Sequence, residues 1–225
     1  MTRRPVLLDL FCGAGGAAQG YYRAGFDVIG IDIKPQRHYP FEFKEADALE
    51  VLRDHAWWRP IAAVHASPPC QRYSRSAHNR EQYPDLLGPT RQALNALGLP
   101  WVIENVPGAP MRADYKLCGC LFSLELRRVR WFETSWAAFG LRPPCTHDHP
   151  VPCVVGHGTP SGTRKALGRN VGIAELRECM GIDWMTRNEL SQAIPPAYTE
   201  YVGRRLIDRL GTSERRTLWT DAFSA

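Results

Sequence analysis

Hydrophobic and polar positions alternate along the chain in blocks that suit strands and helices. Residues 5–10, PVLLDL, form a short apolar run of the kind found in buried strands. A glycine-rich turn follows, residues 17–25 have the composition of a helix, and residues 26–33, FDVIGIDI, predict a second strand. The chain therefore opens with a strand, helix, strand unit of about 30 residues, which predicts a Rossmann-type beginning.

The same alternation continues to residue 106. Residues 45–52, EADALEVL, extend it, and a helix is predicted by GPTRQALNALG between strands predicted by IAAVHA and PWVIENV. Alternating strands and helices predict an α/β fold with a mostly parallel sheet and helices on both faces. Ligands of such sheets bind beyond the carboxyl ends of the strands. Three segments occupy that position: FCGAGG, SPPCQ and ENVPG.

The periodicity lapses between residues 142 and 172, where Pro, Gly, His and Thr are frequent. This lapse divides the chain into a core at 1–141, a small loop-rich insert at 142–172, and a C-terminal segment at 173–211 that packs back on the core. Within the last segment, the sequence predicts a closing helix that ends at Gly211. Residues 212–225 are expected to be a polar, frayed tail.

Composition adds limits to this organisation. The chain has 225 residues, of which 44% are hydrophobic, enough for one main domain. Its net charge of +5 permits nucleic acid as a partner without requiring it. The sequence has no apolar run of about 18 residues and no signal-type cleavage site near its start, so we expect a cytoplasmic protein without a membrane partner. Seven cysteines, an odd number, also argue against a full disulfide framework.

Two acidic residues follow predicted strands near the glycine-rich turn. Gly13, Gly15 and Gly16 allow the backbone of that turn to approach a ligand closely. Asp32 comes about 20 residues later, where a carboxylate can accept hydrogen bonds from ribose hydroxyls; the alternative is a cap before Pro35. Asp47 is either an acceptor for an exocyclic amine or the N-cap of a helix.

Cys70 follows two prolines, which remove backbone donors and make a strand interior improbable. Its thiol is expected in a rigid loop at the top of the sheet. The following residues are polar, and Arg72 and Arg75 would favour the thiolate. A nucleophile is therefore preferred to a buried structural thiol.

Glu104 and Asn105 end another predicted strand. A buried, protonated glutamic acid there can donate a proton to a ring nitrogen, whereas an exposed one would only precede a turn. Further along, Arg128 and Arg130 share one face of an extended segment, LRRVRWFET. Their guanidinium groups are suited to a carbonyl oxygen, a phosphate or a carboxylate, with a solvated basic strand as the alternative.

Taken in order, the blocks DLFCGAGG, SPPCQ, ENV, RRVR and SQAIPPAYTEYVG resemble the DNA (cytosine-5) methyltransferase family. The resemblance extends from Leu8 to about Gly203 and implies the Rossmann-like fold of S-adenosylmethionine-dependent methyltransferases. It also implies transfer of a methyl group to C5 of cytosine in DNA. In that reaction the Cys70 thiolate adds to C6 of the base, Glu104 engages N3 and Arg130 engages O2, while the cytosine is flipped out of the duplex.

The resemblance assigns three groups of residues. The catalytic set is Cys70, Glu104, Arg128 and Arg130. The cofactor-binding set, for S-adenosylmethionine, is Phe11, Gly13, Ala14, Gly15, Asp32, Ile33, Asp47, Pro69, Gln192 and Ala193. The substrate-loop set is Gln71, Ser74 and Asn105. By the same analogy, the SQAIPP block folds back beside the N-terminal strand.

The chain departs from the family pattern in three places. Leu126 stands where family members usually have Gln, and Ser191 and Gln192 replace a usual Gly-Asn pair. The insert is also far shorter than the family's target-recognition domain, and reading base edges in the major groove needs several placed side chains. We therefore expect a short recognition sequence, loose specificity, a specificity partner or an unusual form of substrate. A compact, stand-alone modification enzyme of a bacterium or phage fits this size.

The insert also contains five possible metal ligands. They are Cys145, His147, His149, Cys153 and His157. Their spacing supplies enough ligands for one tetrahedral zinc ion but matches no common zinc-finger pattern. Polar loop residues that contact phosphates are the preferred interpretation, and zinc is the alternative. Cys118 and Cys120, in an apolar setting, are interpreted as buried thiols.

Three other functions remain open at this point, one of which is transfer of a group other than methyl from a modified methionine-derived donor. The same chemistry on RNA, single-stranded DNA or a free cytidine nucleotide agrees with the short insert. A non-catalytic nucleic-acid-binding module, the third possibility, would be expected to have lost Cys70, Glu104 or Arg130, and all three are present.

Overall fold

A computed structural model describes residues 3–54, 60–74, 79–136 and 144–222, with side chains up to residue 211. Its centre is a seven-stranded sheet in the order β3-β2-β1-β4-β5-β7-β6. The strands are β1 (Val6–Leu10), β2 (Asp27–Asp32), β3 (Glu42–Glu45), β4 (Ile61–Ala66), β5 (Trp101–Asn105), β6 (Tyr115–Leu117) and β7 (Arg130–Thr134). Within these described ranges, no helix combines the length and the hydrophobicity needed to cross a membrane.

Strands β1 to β5 are parallel to one another, and β7 runs antiparallel to both β5 and β6. The mostly parallel α/β fold predicted from the sequence is confirmed. The short β6 was not predicted, because only three residues form it and no apolar run marks it. The carboxyl ends of β1, β2, β4 and β5 meet at one edge of the sheet, where the three segments singled out above follow their strands.

Helices cover both faces of the sheet. They are α1 (Gly16–Ala24), α2 (Ala48–Arg53), α3 (Leu87–Leu97), α4 (Ser161–Leu167), α5 (Ile173–Met180), α6 (Arg187–Gln192) and α7 (Pro196–Ala222). Because side chains alternate along a strand, Leu7 of β1 packs in a cluster with Tyr21 of α1 and Tyr198 of α7. Its neighbour Leu8 packs on the opposite face with Val51 of α2 and Leu94 of α3. The fold is therefore a three-layer sandwich.

A third cluster joins the insert to the C-terminal segment. Val154 and Val171 of the insert pack with Leu176 and Met180 of α5. Leu126 lies in the same cluster and is buried, so an apolar side chain suits the position where the resembling family has glutamine. The described part of the insert, residues 144–172, contains the short helix α4 and is otherwise irregular.

The end of the last helix was predicted wrongly. α7 continues through Gly211 to Ala222 instead of ending at the glycine. A single glycine in a helix interior costs only about 1 kcal/mol relative to alanine. The residues that follow it, including Glu214, Arg215 and Arg216, are compatible with a helix, so the chain does not stop there.

Candidate active site at the carboxyl edge of the sheet

The turn after β1 is built around backbone donors. Gly13 has a φ of +50°, which favours glycine, and its N–H donates to Asp32 Oδ2 at 3.0 Å. The N–H of Lys34 donates to the other oxygen, Asp32 Oδ1, at 3.1 Å. Each carboxylate oxygen has further acceptor capacity, so Asp32 stays able to accept hydrogen bonds from a ligand. Gly15, also at positive φ, is the N-cap of α1.

The late SQAIPP block lies directly against this turn. A Cβ on Gly16 would lie 2.5 Å from the carbonyl oxygen of Ile194, so only glycine allows this approach. The Trp184 Nε1–H donates to the carbonyl oxygen of Ala14 at 2.9 Å. His38 Nδ1 and Glu189 Oε1 are 2.7 Å apart and join the β2 loop to α6. The block therefore closes one side of the site.

These segments enclose a cavity of about 520 Å³. The residues of the cofactor-binding set that line it are Phe11, Gly13, Ala14, Asp32, Ile33, Pro69, Gln192 and Ala193, and those of the catalytic and substrate-loop sets are Cys70, Gln71, Glu104 and Arg130. Ile33 is 64% exposed and offers an apolar surface at the edge of this cavity. The remaining predicted site residues, Gly15, Asp47, Ser74, Asn105 and Arg128, are not among its lining residues.

Two side-chain hydrogen bonds fix the loop that carries Cys70. Ser67 Oγ donates to the carbonyl oxygen of Phe11 at 3.1 Å, and the buried Asn105 Nδ2 donates to the carbonyl oxygen of Pro68 at 3.0 Å. After the cysteine, the N–H of Ser74 donates to the carbonyl oxygen of Cys70 at 2.9 Å and forms a tight turn. Asn105 and Ser74 therefore hold the loop rather than face the cavity.

The pKa of the Cys70 thiol is raised, whereas the sequence predicted surroundings that favour the thiolate. Burial raises the pKa of its thiol, and the Glu104 carboxyl raises it further. The opposing positive charges come from Arg130 and Arg128. Arg72 is not among the causes of this shift; its guanidinium donates to the carbonyl oxygen of Tyr83 and lies 3.8 Å from the Asp85 carboxylate. Arg75 lies outside the described residues. The expectation that Arg72 favours the thiolate was therefore wrong.

Glu104 is buried at the end of β5, opposite β7. Burial raises its pKa to about 7, against the effect of Arg130 and Arg128. Arg130 Nε is 3.0 Å from Glu104 Oε1, close enough for an ion pair, yet its N–H is not aligned for a hydrogen bond. Among the described residues, Oε1 has no hydrogen-bond partner. A buried oxygen in this state is suited to a polar ligand in the cavity.

Arg128 does not line the cavity but contacts the backbone of segments that surround it. One of its Nη groups donates to the carbonyl oxygen of Ser191 at 2.6 Å, and the other lies 3.5 Å from the carbonyl oxygen of Val154. The Tyr198 hydroxyl donates to the carbonyl oxygen of Arg128 at 2.7 Å. This arginine ties together the insert, the late block and the segment before β7, and it contributes positive charge near Cys70 without lining the cavity.

Asp47 has the contacts of the capping alternative. Its Oδ1 accepts from the N–H groups of Leu49 at 2.7 Å and Glu50 at 3.1 Å, at the N-terminus of α2. This carboxylate stabilises a helix end, and the cavity is lined by other residues.

Several lining residues were not found from the sequence. They are Cys12, Lys34, Gln36, Asn188 and Glu189. Asn188 and Glu189 come from α6, more than 150 residues after the turn they face, and no local sequence pattern predicts that contact. The best signal was the capping box of α6, in which Thr186 and Glu189 exchange hydrogen bonds, because it marks where the helix begins.

Comparison with known proteins supports the fold. No protein-family model and no curated protein matches the sequence. Among solved structures, the chain is similar to DNMT2 of Spodoptera frugiperda, with a TM-score of 0.63 and 13% identity over 90% of this chain and 99% of that one. It is also similar to the Dnmt2 methyltransferase of S. pombe, with a TM-score of 0.61 and 14% identity over 92% and 99%.

A third similarity is to a DNA modification methyltransferase encoded within an E. coli prophage. The TM-score is 0.45 and the identity 23%, and the match covers 57% of this chain and 45% of that chain. At the identities found for the two Dnmt2 structures, what the chain shares with them is the fold. The protein therefore has the Rossmann-like α/β fold of methyltransferases.

Proposed function

We propose that this protein is an S-adenosylmethionine-dependent methyltransferase that modifies C5 of cytosine in DNA. The observation that carries the proposal is the meeting of Cys70, Glu104 and Arg130 at one cavity. The same cavity extends to the glycine turn after β1 and to Asp32. A nucleophile, a proton donor and a cation thus face the binding region of a nucleoside-type cofactor. The methyltransferase fold supports the same conclusion.

The residues at the β1 and β2 ends fit S-adenosylmethionine. Asp32 presents a carboxylate for a ribose diol, and the exposed Ile33 beside it offers an apolar surface for adenine. Near Gly13 and Ala14 the backbone can approach a ligand without obstruction by large side chains. When bound, S-adenosylmethionine supplies an electrophilic methyl group. The cavity volume of about 520 Å³ lies within the range of ligand sites.

The catalytic residues divide the reaction into steps. C5 of neutral cytosine is a poor nucleophile, so Cys70 Sγ first adds to C6 as a thiolate. Glu104, whose pKa is raised to about 7 by burial, gives its proton to N3, and Arg130 stabilises the charge on O2. The electron pair is then available at C5 for the methyl group. Transfer of the C5 proton to water restores the double bond, breaks the C6–S bond and releases the Cys70 thiolate, while N3 returns its proton to the Glu104 carboxylate.

A polynucleotide substrate agrees with the excess of basic residues, and a duplex would require flipping of the cytosine. The described part of the insert is small, which limits the base edges that it can read. For this reason RNA, single-stranded DNA and a cytidine nucleotide are the competing substrates of the same chemistry.

One assay tests the function and the substrate together. Purified protein is incubated with isotopically labelled S-adenosylmethionine and, separately, with duplex DNA, single-stranded DNA, RNA and deoxycytidine triphosphate. Mass spectrometry of the digested nucleosides should detect labelled 5-methyl-2′-deoxycytidine from duplex DNA. If only RNA or only the nucleotide were labelled, that molecule would be the substrate instead of duplex DNA. Label at another position of the base would contradict the proposed chemistry.

The Asp32→Asn variant should bind S-adenosylmethionine about 10- to 100-fold more weakly, as expected for loss of a hydrogen bond to a charged group. An amide has one acceptor oxygen in place of two, and the N–H groups of Gly13 and Lys34 already donate to one carboxylate oxygen each in the parent. Isothermal titration calorimetry measures the change. The matched control is Glu175→Gln, which removes a carboxylate that pairs with Arg169 away from the cavity and should leave the affinity unchanged. Equal affinities for the Asp32 variant and the parent would contradict the assignment.

A further inference from the structure

Four possible metal ligands meet next to the end of β6, the edge strand that pairs with β7. They are Cys118, Cys120, Cys145 and His147, whose ligand atoms all lie within 4.8 Å of one another. Cys118 Sγ and His147 Nε2 are 3.9 Å apart. The cluster combines two residues that the sequence suggested as zinc ligands with two that it suggested as buried thiols.

The distances suit a tetrahedral ion. Zinc–sulfur bonds of about 2.3 Å and zinc–nitrogen bonds of about 2.0 Å place neighbouring sulfur atoms about 3.8 Å apart, and sulfur and nitrogen about 3.5 Å apart. Because no separation exceeds 4.8 Å, the sulfur–sulfur distances exceed the ideal value by at most about 1.0 Å and the sulfur–nitrogen distances by at most about 1.3 Å. Small side-chain rotations can close these differences. We propose that these four side chains bind one zinc ion in a closed Cys3His site, which leaves no coordination position for water or substrate and makes the site structural.

The position of the cluster suits a zinc ion that links two separate segments of the chain. Cys118 and Cys120 flank the start of a 3-10 turn at Gly119–Phe122, directly after β6. Cys145 and His147 begin the described part of the insert. Besides the four ligands, Arg127 lies close to this point, with its guanidinium 3.4 Å from the carbonyl oxygen of His147. A zinc ion here fastens the insert to the segment that leads into Arg128 and Arg130.

The other three sequence candidates lie outside the cluster. His149 instead contacts the carboxylates of Glu125 and Asp148, each at 2.7 Å. Cys153 and His157 are exposed. The phosphate-contacting interpretation of the insert stays a prediction for these residues, and Cys153 offers a matched control, since it is a free, exposed cysteine of the same segment.

The first test is zinc content. Protein purified without chelators should contain about one zinc per chain by inductively coupled plasma mass spectrometry. Cys120→Ser and Cys145→Ser should reduce this to near zero, and Cys153→Ser should leave it at about one. Equal loss in Cys153→Ser, or full retention in Cys145→Ser, would overturn the ligand set.

A second test avoids variants that fold poorly. The parent protein, stripped of metal and reconstituted with cobalt(II) chloride, should show intense visible d–d bands of a tetrahedral ion and a thiolate-to-cobalt charge-transfer band. His147→Cys should retain metal as a four-thiolate site. No zinc in the parent together with no such cobalt spectrum would overturn the proposal, as would a disulfide found among the three cysteines by mass spectrometry of the unreduced protein. These readouts do not depend on catalysis, so they separate this site from the proposed methyl transfer.

Discussion

Replacing Cys70 by serine is expected to reduce methyl transfer at least about a thousand-fold, the scale seen when a covalent catalyst loses its nucleophile. A serine hydroxyl is similar in size but far less acidic than a thiol, so it is a much weaker nucleophile at neutral pH. The effect should appear in the chemical step, because Cys70 is proposed to lie at the substrate end of the cavity. Single-turnover incorporation of labelled methyl groups into DNA measures it.

Two controls separate chemistry from folding. Cys153→Ser changes an exposed cysteine away from the cavity and should retain the parental rate. The Cys70→Ser variant itself should bind S-adenosylmethionine with the parental affinity. A Cys70→Ser rate within tenfold of the parent would be incompatible with the covalent mechanism.

Replacing Glu104 by glutamine is expected to lower kcat/KM by about 10²- to 10⁴-fold, the usual contribution of a general acid. The amide can donate a hydrogen bond to N3 but cannot give up a proton. A matched control is Glu133→Gln, which removes a buried carboxyl from the neighbouring strand β7, where Glu133 pairs with Arg91 at 2.8 Å. That change should lower the free energy of unfolding and leave kcat/KM per folded molecule unchanged.

The pH profile gives the Glu104 variant a distinct signature. In the parent, the fraction of Cys70 thiolate rises with pH, whereas the fraction of protonated Glu104 falls once pH exceeds its pKa of about 7. Since the Cys70 pKa is raised, the two effects cancel between these values, and log kcat/KM should level off above about pH 7. Glu104→Gln removes the falling factor, so its log kcat/KM should continue to rise through pH 7. Profiles of identical shape would contradict the assigned proton.

Much of the fold was predictable because its signals are local. The apolar runs around β1, β4 and β5 lie between turn residues and mark buried strands without any tertiary information. β6 is too short to give such a signal. α7 continues past Gly211 because the free-energy cost of one glycine in a helix is smaller than the helix-forming tendency of the residues around it.

The candidate site was predictable where the sequence brings chemistry to strand ends. Cys70 follows β4 and Glu104 lies at the end of the neighbouring parallel strand β5, so topology alone brings them to the same edge of the sheet. Their electrostatics were less predictable, because burial and charge depend on distant residues. Arg72 is adjacent in sequence and bonds elsewhere, whereas Arg130, from an antiparallel strand, lies beside Glu104.

The Cys and His cluster was also not predictable from the sequence, because its residues are distant from one another along the chain. The sequence separates Cys118 from His147 by 28 intervening residues, and no common finger spacing links them. Only the fold of the hairpin formed by β6 and β7 brings the insert to the turn at Gly119.

The most direct test of the account is covalent capture with duplex DNA in which 5-fluorocytosine replaces cytosine. Fluorine at C5 cannot leave as a cation, so the adduct between Cys70 and C6 persists after methyl transfer. In the presence of S-adenosylmethionine, the parent protein should form a denaturant-stable complex, and peptide mapping should place the DNA on Cys70. Active protein that forms no adduct, or forms it at another residue, would contradict the proposed mechanism.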